Sequence, residues 1–366
     1  MSTRVYTLPV EQTAWHVPGS SGVTIFNWDY DQGREKLLAL YEKGKSKQWN
    51  ANDRLDWSAP IDLQNPLGFP DEFVPIYGCE QWDRLDDAKK GEVRRHIDAW
   101  RFSQFLHGEQ GALICAAKIV QTVPDLDSKF YAATQVVDEA RHVEVYSRYL
   151  REKIGLAYPV NPHLKTLLNQ AMTDARWDMT YLAMQVVIEG LALAAFGTIR
   201  DLATEPLGKS LNAYVMQDEA RHVAFGRLAL SDFYPEISSK ERDEREEFVV
   251  EACYLMRDRF VGEEVWGNMG LDVGTCVAYT RNSALMQQYI GLLFSRIVPT
   301  IRAIGLWGER IQRAFTDMNV VQFAEMNPEE LGRADEDVAA EFDRVRALRP
   351  RPSSRAATTG RNDGTS

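Results

Sequence analysis

Asp138-Glu139-Ala140-Arg141-His142 recurs unchanged as Asp218-Glu219-Ala220-Arg221-His222, and the reading of that pentapeptide decides the fold. In each copy a Glu and a His stand three residues apart, so on a helix they share one face and can reach one ion. Each copy also has a distant companion. Glu109 precedes Glu139 by 30 residues, and Glu189 precedes Glu219 by 30. Every equivalent pair is thus 80 residues apart, and the flanks agree: Ala112 and Leu113 match Ala192 and Leu193, and Val143 matches Val223. Self-similarity at a fixed period marks a duplicated structural unit.

The companions lie in helical runs. Tyr181 to Ile199 is long and apolar enough to resemble a membrane span, yet Glu189 stands near its centre with Gln185 one turn before. A lone carboxylate in lipid is costly, whereas a helix apolar all round with one acid fits a buried core helix. Such an acid needs a partner. The punctuation predicts helices over 86–123 (stopped by Pro124), 126–153 (ended by Gly155), 163–203, and from Pro206 to about 232. Further helices are expected near 239–261, 282–315 and 329–346. The chain is therefore read as all-α: a four-helix bundle over 86–232, accessory helices of the same domain over 233–348, and an irregular N-terminal wrap over 1–85. That wrap is rich in Pro, Gly and aromatics, including Trp15, Trp28, Trp49, Trp57 and Trp82. Residues 349–366, rich in Pro, Ser, Thr, Gly and Arg, read as a disordered tail.

Two helix pairs of this kind offer four carboxylates (Glu109, Glu139, Glu189, Glu219) and two imidazoles (His142, His222). The set suits two iron ions: carboxylates bridge and neutralise, and positions remain open for O2. A manganese–iron pair is equally acceptable to these donors. Ligating histidines usually give their other ring N–H to a carboxylate. Asp138 and Asp218 are placed to do so across the two-fold, Asp138 to His222 and Asp218 to His142, with Arg141 and Arg221 offsetting the charge. The other four histidines, His16, His96, His107 and His163, have no such context.

Composition removes several other functions. The net charge is −11 with no dense basic stripe, which argues against nucleic acid and anionic membranes as partners. Cys79, Cys115, Cys253 and Cys276 form no C-x-x-C pair and are read as reduced thiols of a cytoplasmic protein; the N-terminus lacks the apolar core of a signal peptide. Neither a Rossmann glycine fingerprint nor an iron–sulfur cysteine motif is present, so electrons for O2 chemistry are expected from a separate reductase or ferredoxin.

On these residues the chain resembles the ferritin-like di-iron oxygenase superfamily. The nearest pattern is that of the bacterial multicomponent monooxygenase hydroxylases acting on methane, toluene and phenol, which carry a lone Glu and then DE-x-RH, twice. Arylamine N-oxygenases, fatty-aldehyde deformylating oxygenases, ligand-binding oxidases and the ribonucleotide reductase small subunit are also similar. The resemblance covers about 90–232 and implies a ferritin-like bundle, a metal site of Glu109, Glu139, His142, Glu189, Glu219 and His222, O2 as co-substrate and a homodimer. One departure stands out: the hydroxylases carry a threonine one turn after their third glutamate, where this chain has Leu193.

The expected function is a di-iron monooxygenase or oxidase acting on a small apolar or aromatic molecule. The alternatives are ferritin-like iron oxidation and storage, and a radical-generating subunit. Tyr146, four residues after His142, matches the offset of the reductase radical tyrosine; it is either redox-active or an aromatic packed beside the site. The inward positions one turn from the ligands include Ala112, Ala116, Gln185, Ala192, Leu193, Phe196 and Gly226. Their small members either open a substrate cavity or allow close helix packing.

Overall fold

Most of the long helices start at a residue whose side chain caps them. In α1 (Glu35–Ser46) the first helical stretch of the wrap is set. Asp86 caps α2 (Asp87–Thr122) by accepting the Lys89 N–H, and Asp125 caps α3 (Leu126–Arg148) through the Ser128 N–H. Asn161 caps α4 (Pro162–Thr173), and the continuous apolar helix α5 runs from Trp177 to Leu202. Glu205 caps α6 (Pro206–Phe233), where Pro206 occupies the first turn that needs no N–H partner. Ser238 and Glu241 form a reciprocal capping box at α7 (Ser239–Asp258), and α8 (Pro328–Ala347) comes last. The computed structural model describes residues 23–26 and 33–347, and among them no β-strand occurs.

The bundle pairs α2 with α3 and α5 with α6, the pairing that the 80-residue repeat requires. α1 lies across α3 and α6, and α8 packs along α6. Of the candidate membrane stretch in α5, 83% is buried inside the protein, as expected for a core helix. Trp49 and Trp82 of the wrap are buried, and Trp57 is half-buried against the core. Trp15, Trp28, His16 and the 349–366 tail lie outside the described residues. All four cysteines are buried free thiols.

Two expected helices are broken. The run 163–203 divides at Asp174, whose carboxylate accepts the Arg176 N–H (2.9 Å) and its guanidinium, a local turn that competes with the helix. A helix not expected, Val273–Asn282, comes first, and the run 282–315 then breaks into three more, Ala284–Leu293, Ile297–Ala303 and Glu309–Asp317. Ser283 closes the first and caps the second through the Met286 N–H, and Gly305 adopts φ +82° after the third.

Two wider turns modify the regular helices. Tyr149–Ile154 continues α3 as a π-helix that ends at Gly155, a left-handed residue with φ +68°. Leu182–Ile188 forms a second π-helix inside α5, and the Glu189 N–H donates to the Met184 carbonyl five residues back. The π segment delivers Glu189 to the bundle axis; the Glu109 helix reaches the same axis as plain α-helix.

Candidate metal centre

All six predicted donors converge in the bundle interior, and each is 5% exposed or less. They form two overlapping groups. Donor atoms of Glu109, Glu139, His142 and Glu219 lie within 4.8 Å of one another, and so do those of Glu139, Glu189, Glu219 and His222. Glu139 and Glu219 belong to both groups. One lone glutamate and one histidine complete each end. His142 Nδ1 sits 3.0 Å from Glu219 Oε1, 3.2 Å from Glu109 Oε2 and 3.3 Å from Glu139 Oε2. His222 Nδ1 sits 3.1 Å from Glu139 Oε1 and 3.4 Å from Glu219 Oε2.

The outer ring nitrogens point the other way. His142 Nε2 lies 3.2 Å from Asp218 Oδ2, and His222 Nε2 lies 3.3 Å from Asp138 Oδ2. Each aspartate therefore serves the histidine of the opposite repeat. Arg141 donates to Asp138 (2.5 Å) and Asp218 (2.8 Å), and Arg221 donates to Asp218. With Nε2–H given to an aspartate, each imidazole keeps its Nδ1 lone pair for the cluster.

Several partners were not visible in the sequence pattern. Trp49 Nε1 donates to Asp218 Oδ2 at 2.7 Å, and the Arg141 guanidinium lies over the Trp49 ring at 4.8 Å. Gln48 accepts from Arg141 and donates to Asp138, both at 2.7 Å. Gln135, by contrast, is legible as an inward position one turn before Glu139; its Nε2 donates to Glu139 (3.0 Å) and Glu189 (2.9 Å), tying a shared carboxylate to the lone glutamate of one end. Gln48 and Trp49 lie in the aperiodic wrap, where no spacing signals a contact with a helix 90 or 169 residues away.

The electrostatics call for cations. Burial, together with Glu219, drives Glu109 and Glu189 well above the ordinary carboxylate range. Burial also opposes charge on Glu139, but the His222 and His142 imidazoles outweigh it and hold that carboxyl low. Burial would depress His142 and His222, yet the carboxylates (Glu109 foremost for His142, Glu139 for His222) raise both well above an ordinary imidazole. Meanwhile Glu139 Oε2, Glu189 Oε2 and both Glu219 oxygens have no hydrogen-bond donor. Buried carboxylate oxygens without donors carry a large desolvation cost that metal cations remove. The donor set, four carboxylates and two imidazoles in two groups with two shared members, fits a pair of iron or manganese–iron ions.

A narrow cavity of about 30 Å³ lies against Glu109, Glu189 and Glu219. Ala112, Ala192 and Phe196 line it, with Phe105, Gln104 and Arg259. The other expected lining residues do not. A Cβ at Gly226 would fall 2.5 Å from Gln185 Cβ, so this glycine serves close approach of α5 and α6. Gln185 turns to Gln135 instead (3.4 Å), while Ala116 and Leu193 are buried in helix packing. Tyr146 is enclosed by Phe102, Phe105 and Phe196, and its hydroxyl donates to Asn212 Oδ1 at 3.1 Å.

Among solved structures, the chain is similar to R2-like ligand-binding oxidases. A variant with an anaerobically reconstituted Mn/Fe cofactor aligns at 17% identity and TM-score 0.45, covering 77% of this chain and 100% of that one. Another variant with an aerobically reconstituted Fe/Fe cofactor aligns at 17% identity and TM-score 0.41, covering 83% and 100%. No curated protein matches significantly. The family model of p-aminobenzoate N-oxygenase AurF matches residues 31–305, a span that takes in every donor of the buried cluster and the wrap residues bonded to it. The chain belongs to the AurF family and is an oxidoreductase of the ferritin-like di-iron oxygenase superfamily.

Proposed function

We propose that this di-iron oxygenase oxidises the amine nitrogen of a small aromatic amine. Two supports carry the substrate reading: the family match, and the cavity that brings Phe105 and Phe196 against Glu109, Glu189 and Glu219. In the proposed site Glu109 and His142 hold one metal, Glu189 and His222 hold the other, and Glu139 and Glu219 serve both. The bound metal pair supplies O2 activation. In the net reaction one oxygen atom passes to the amine and the other leaves as water, with two electrons from an external donor and two protons.

The chain's own residues prepare that chemistry. Asp138 and Asp218 hold the imidazoles through Nε2 and fix which nitrogen faces inward. Gln135 fixes one oxygen each of Glu139 and Glu189 and leaves their second oxygens free. Phe105, Phe196 and the small Ala112 and Ala192 keep bulk water from the carboxylates. The room there suits about one water, so an aromatic ring enters only when side chains such as Phe105 move. We further propose a separate reductase or ferredoxin, a cytoplasmic location, a homodimer, and the division at about 86, 232 and 348 set out above.

The test is a single-turnover experiment. Iron-loaded, reduced protein is mixed with O2 and 4-aminobenzoate or aniline, and products are identified by mass spectrometry. A hydroxylamine or more oxidised nitrogen carrying label from 18O2 is expected. Ring hydroxylation alone, or O2 consumption without labelled product for either amine, overturns the reading.

A further inference from the structure

Phe105 stands on α2 one turn before Glu109, and of the described residues it is the one whose side chain borders three small cavities. The first, about 30 Å³, is the cavity against the metal-site carboxylates. The second, about 20 Å³, is walled by Trp100, Phe260 and Tyr289, and it shares Gln104, Phe105 and Arg259 with the first. The third, also about 20 Å³, shares Arg101, Phe105, Met286 and Tyr289 with the second. Its far wall includes Glu72 and Leu285, both exposed, Leu285 to 40%. The three cavities thus follow one another inward from the surface, starting between the wrap and the helix Ala284–Leu293.

Voids larger than a water molecule are few in a close-packed interior. Three of them bordering one side chain make that side chain the partition between surface and metal centre. Phe102, Tyr146 and Phe196 hold the Phe105 ring at centroid distances of 5.8, 5.6 and 4.7 Å. Where the ring faces the cavities it meets open space, so it can turn to another staggered rotamer without driving into a neighbour. Each cavity has room for about one water. A molecule of two or three atoms passes with little movement of Phe105, whereas an aromatic ring passes only when Phe105 swings aside.

We propose that Phe105 gates, by size, an entry path that opens between the wrap and the helix Ala284–Leu293 and ends on Glu109, Glu189 and Glu219. The assignment rests on the reading of the inner cavity as the place of reaction. It adds the route by which a substrate arrives and the residue that limits how large that substrate can be.

Binding kinetics test it separately from turnover. Full-length protein is loaded with iron, oxidised to the ferric state and mixed by stopped flow with azide or with 4-methylphenol. Both ligands give charge-transfer absorption on ferric iron, so each on-rate is read without any amine being oxidised. Association that waits on a conformational change is slow. Phe105→Leu should speed 4-methylphenol about tenfold or more and azide less than about threefold. Met286→Trp, in the wall shared by the outer two cavities, should slow 4-methylphenol about tenfold with iron content unchanged. A Phe105→Leu protein in which both ligands speed up equally, or neither does, overturns the gate. Unchanged 4-methylphenol binding in Met286→Trp overturns the route, and does so even if Phe105→Leu fails to fold. A wild type that binds azide but not the phenol supports the gate when Phe105→Leu binds the phenol; binding by neither protein overturns it. Absence of amine oxidation with these rates as expected would refute the proposed reaction and leave the gate standing.

Discussion

Asp218 Oδ2 receives three donors at once: Trp49 Nε1 at 2.7 Å, Arg141 Nη2 at 2.8 Å and His142 Nε2 at 3.2 Å. Burial resists charge on this aspartate, but Arg221, His142 and Arg141 hold it well below the ordinary range. An anion fixed in this way keeps the His142 ring in one orientation. Asp218→Asn preserves shape and removes the charge, so ferrous iron affinity should fall about 10- to 100-fold, read by competition with a chelator. Affinity within twofold of wild type would show that the carboxylate does not orient the ligand. Tyr146 is expected to behave differently. Its hydroxyl bonds Asn212 and its ring packs among phenylalanines, so Tyr146→Phe should lose only about 1–2 kcal/mol of stability in urea unfolding. Turnover and oxidised-state spectra should be unchanged; their loss would restore a redox role. At this scale the six donors and the crossed Asp–His pairs were legible because each falls at a repeat-equivalent position. Trp49, Gln48 and Arg259 were not, because each meets the centre from a segment with no counterpart in the repeat.

At the level of helices, the period showed which ones carry donors but not how each is delivered. The π segment Leu182–Ile188 leaves no mark in an apolar stretch where every residue is buried. Nor did the sequence pattern separate small residues that line space from those that close it. Gly226 has no room for a methyl group, because Gln185 Cβ, close to its own backbone, stands in the way. Gly226→Ala should force α5 and α6 apart and cost about 1–3 kcal/mol in urea unfolding. An unchanged midpoint and slope would show that the interface has slack. The breaks at Asp174 and Ser283 have a common cause: short polar side chains satisfy backbone N–H groups locally, and such competition is decided by geometry that a hydropathy pattern does not carry.

Across the molecule, the wrap and α8 close the bundle on the side of the metal centre's outer partners. Lys43 pairs with Glu336 and Arg54 with Asp343, linking wrap to C-terminal helix. A more informative junction is Asp98 in α2, which accepts from the Leu67 N–H of the wrap (3.2 Å) and from Arg101 (2.9 Å). Burial outweighs both and raises its carboxyl to about 6. A raised folded-state value means that ionisation opposes folding, fully above pH 6, and that the opposition fades as pH falls toward the unfolded value. Relative to Asp98→Asn, wild type should therefore gain about 2 kcal/mol as pH drops from 8 to 4. A flat difference would show that Arg101 fully compensates the burial.

The shared position of Glu139 and Glu219 in both donor groups is tested most directly by metal stoichiometry. Full-length protein is loaded anaerobically with ferrous iron, freed of excess metal and assayed for iron per chain, beside Glu139→Ala and Glu219→Ala. Wild type should hold about two irons per chain, and each variant should lose both, since each residue serves both sites. One iron or fewer in wild type, or two retained when either shared glutamate is removed, would contradict a paired metal centre built on these residues.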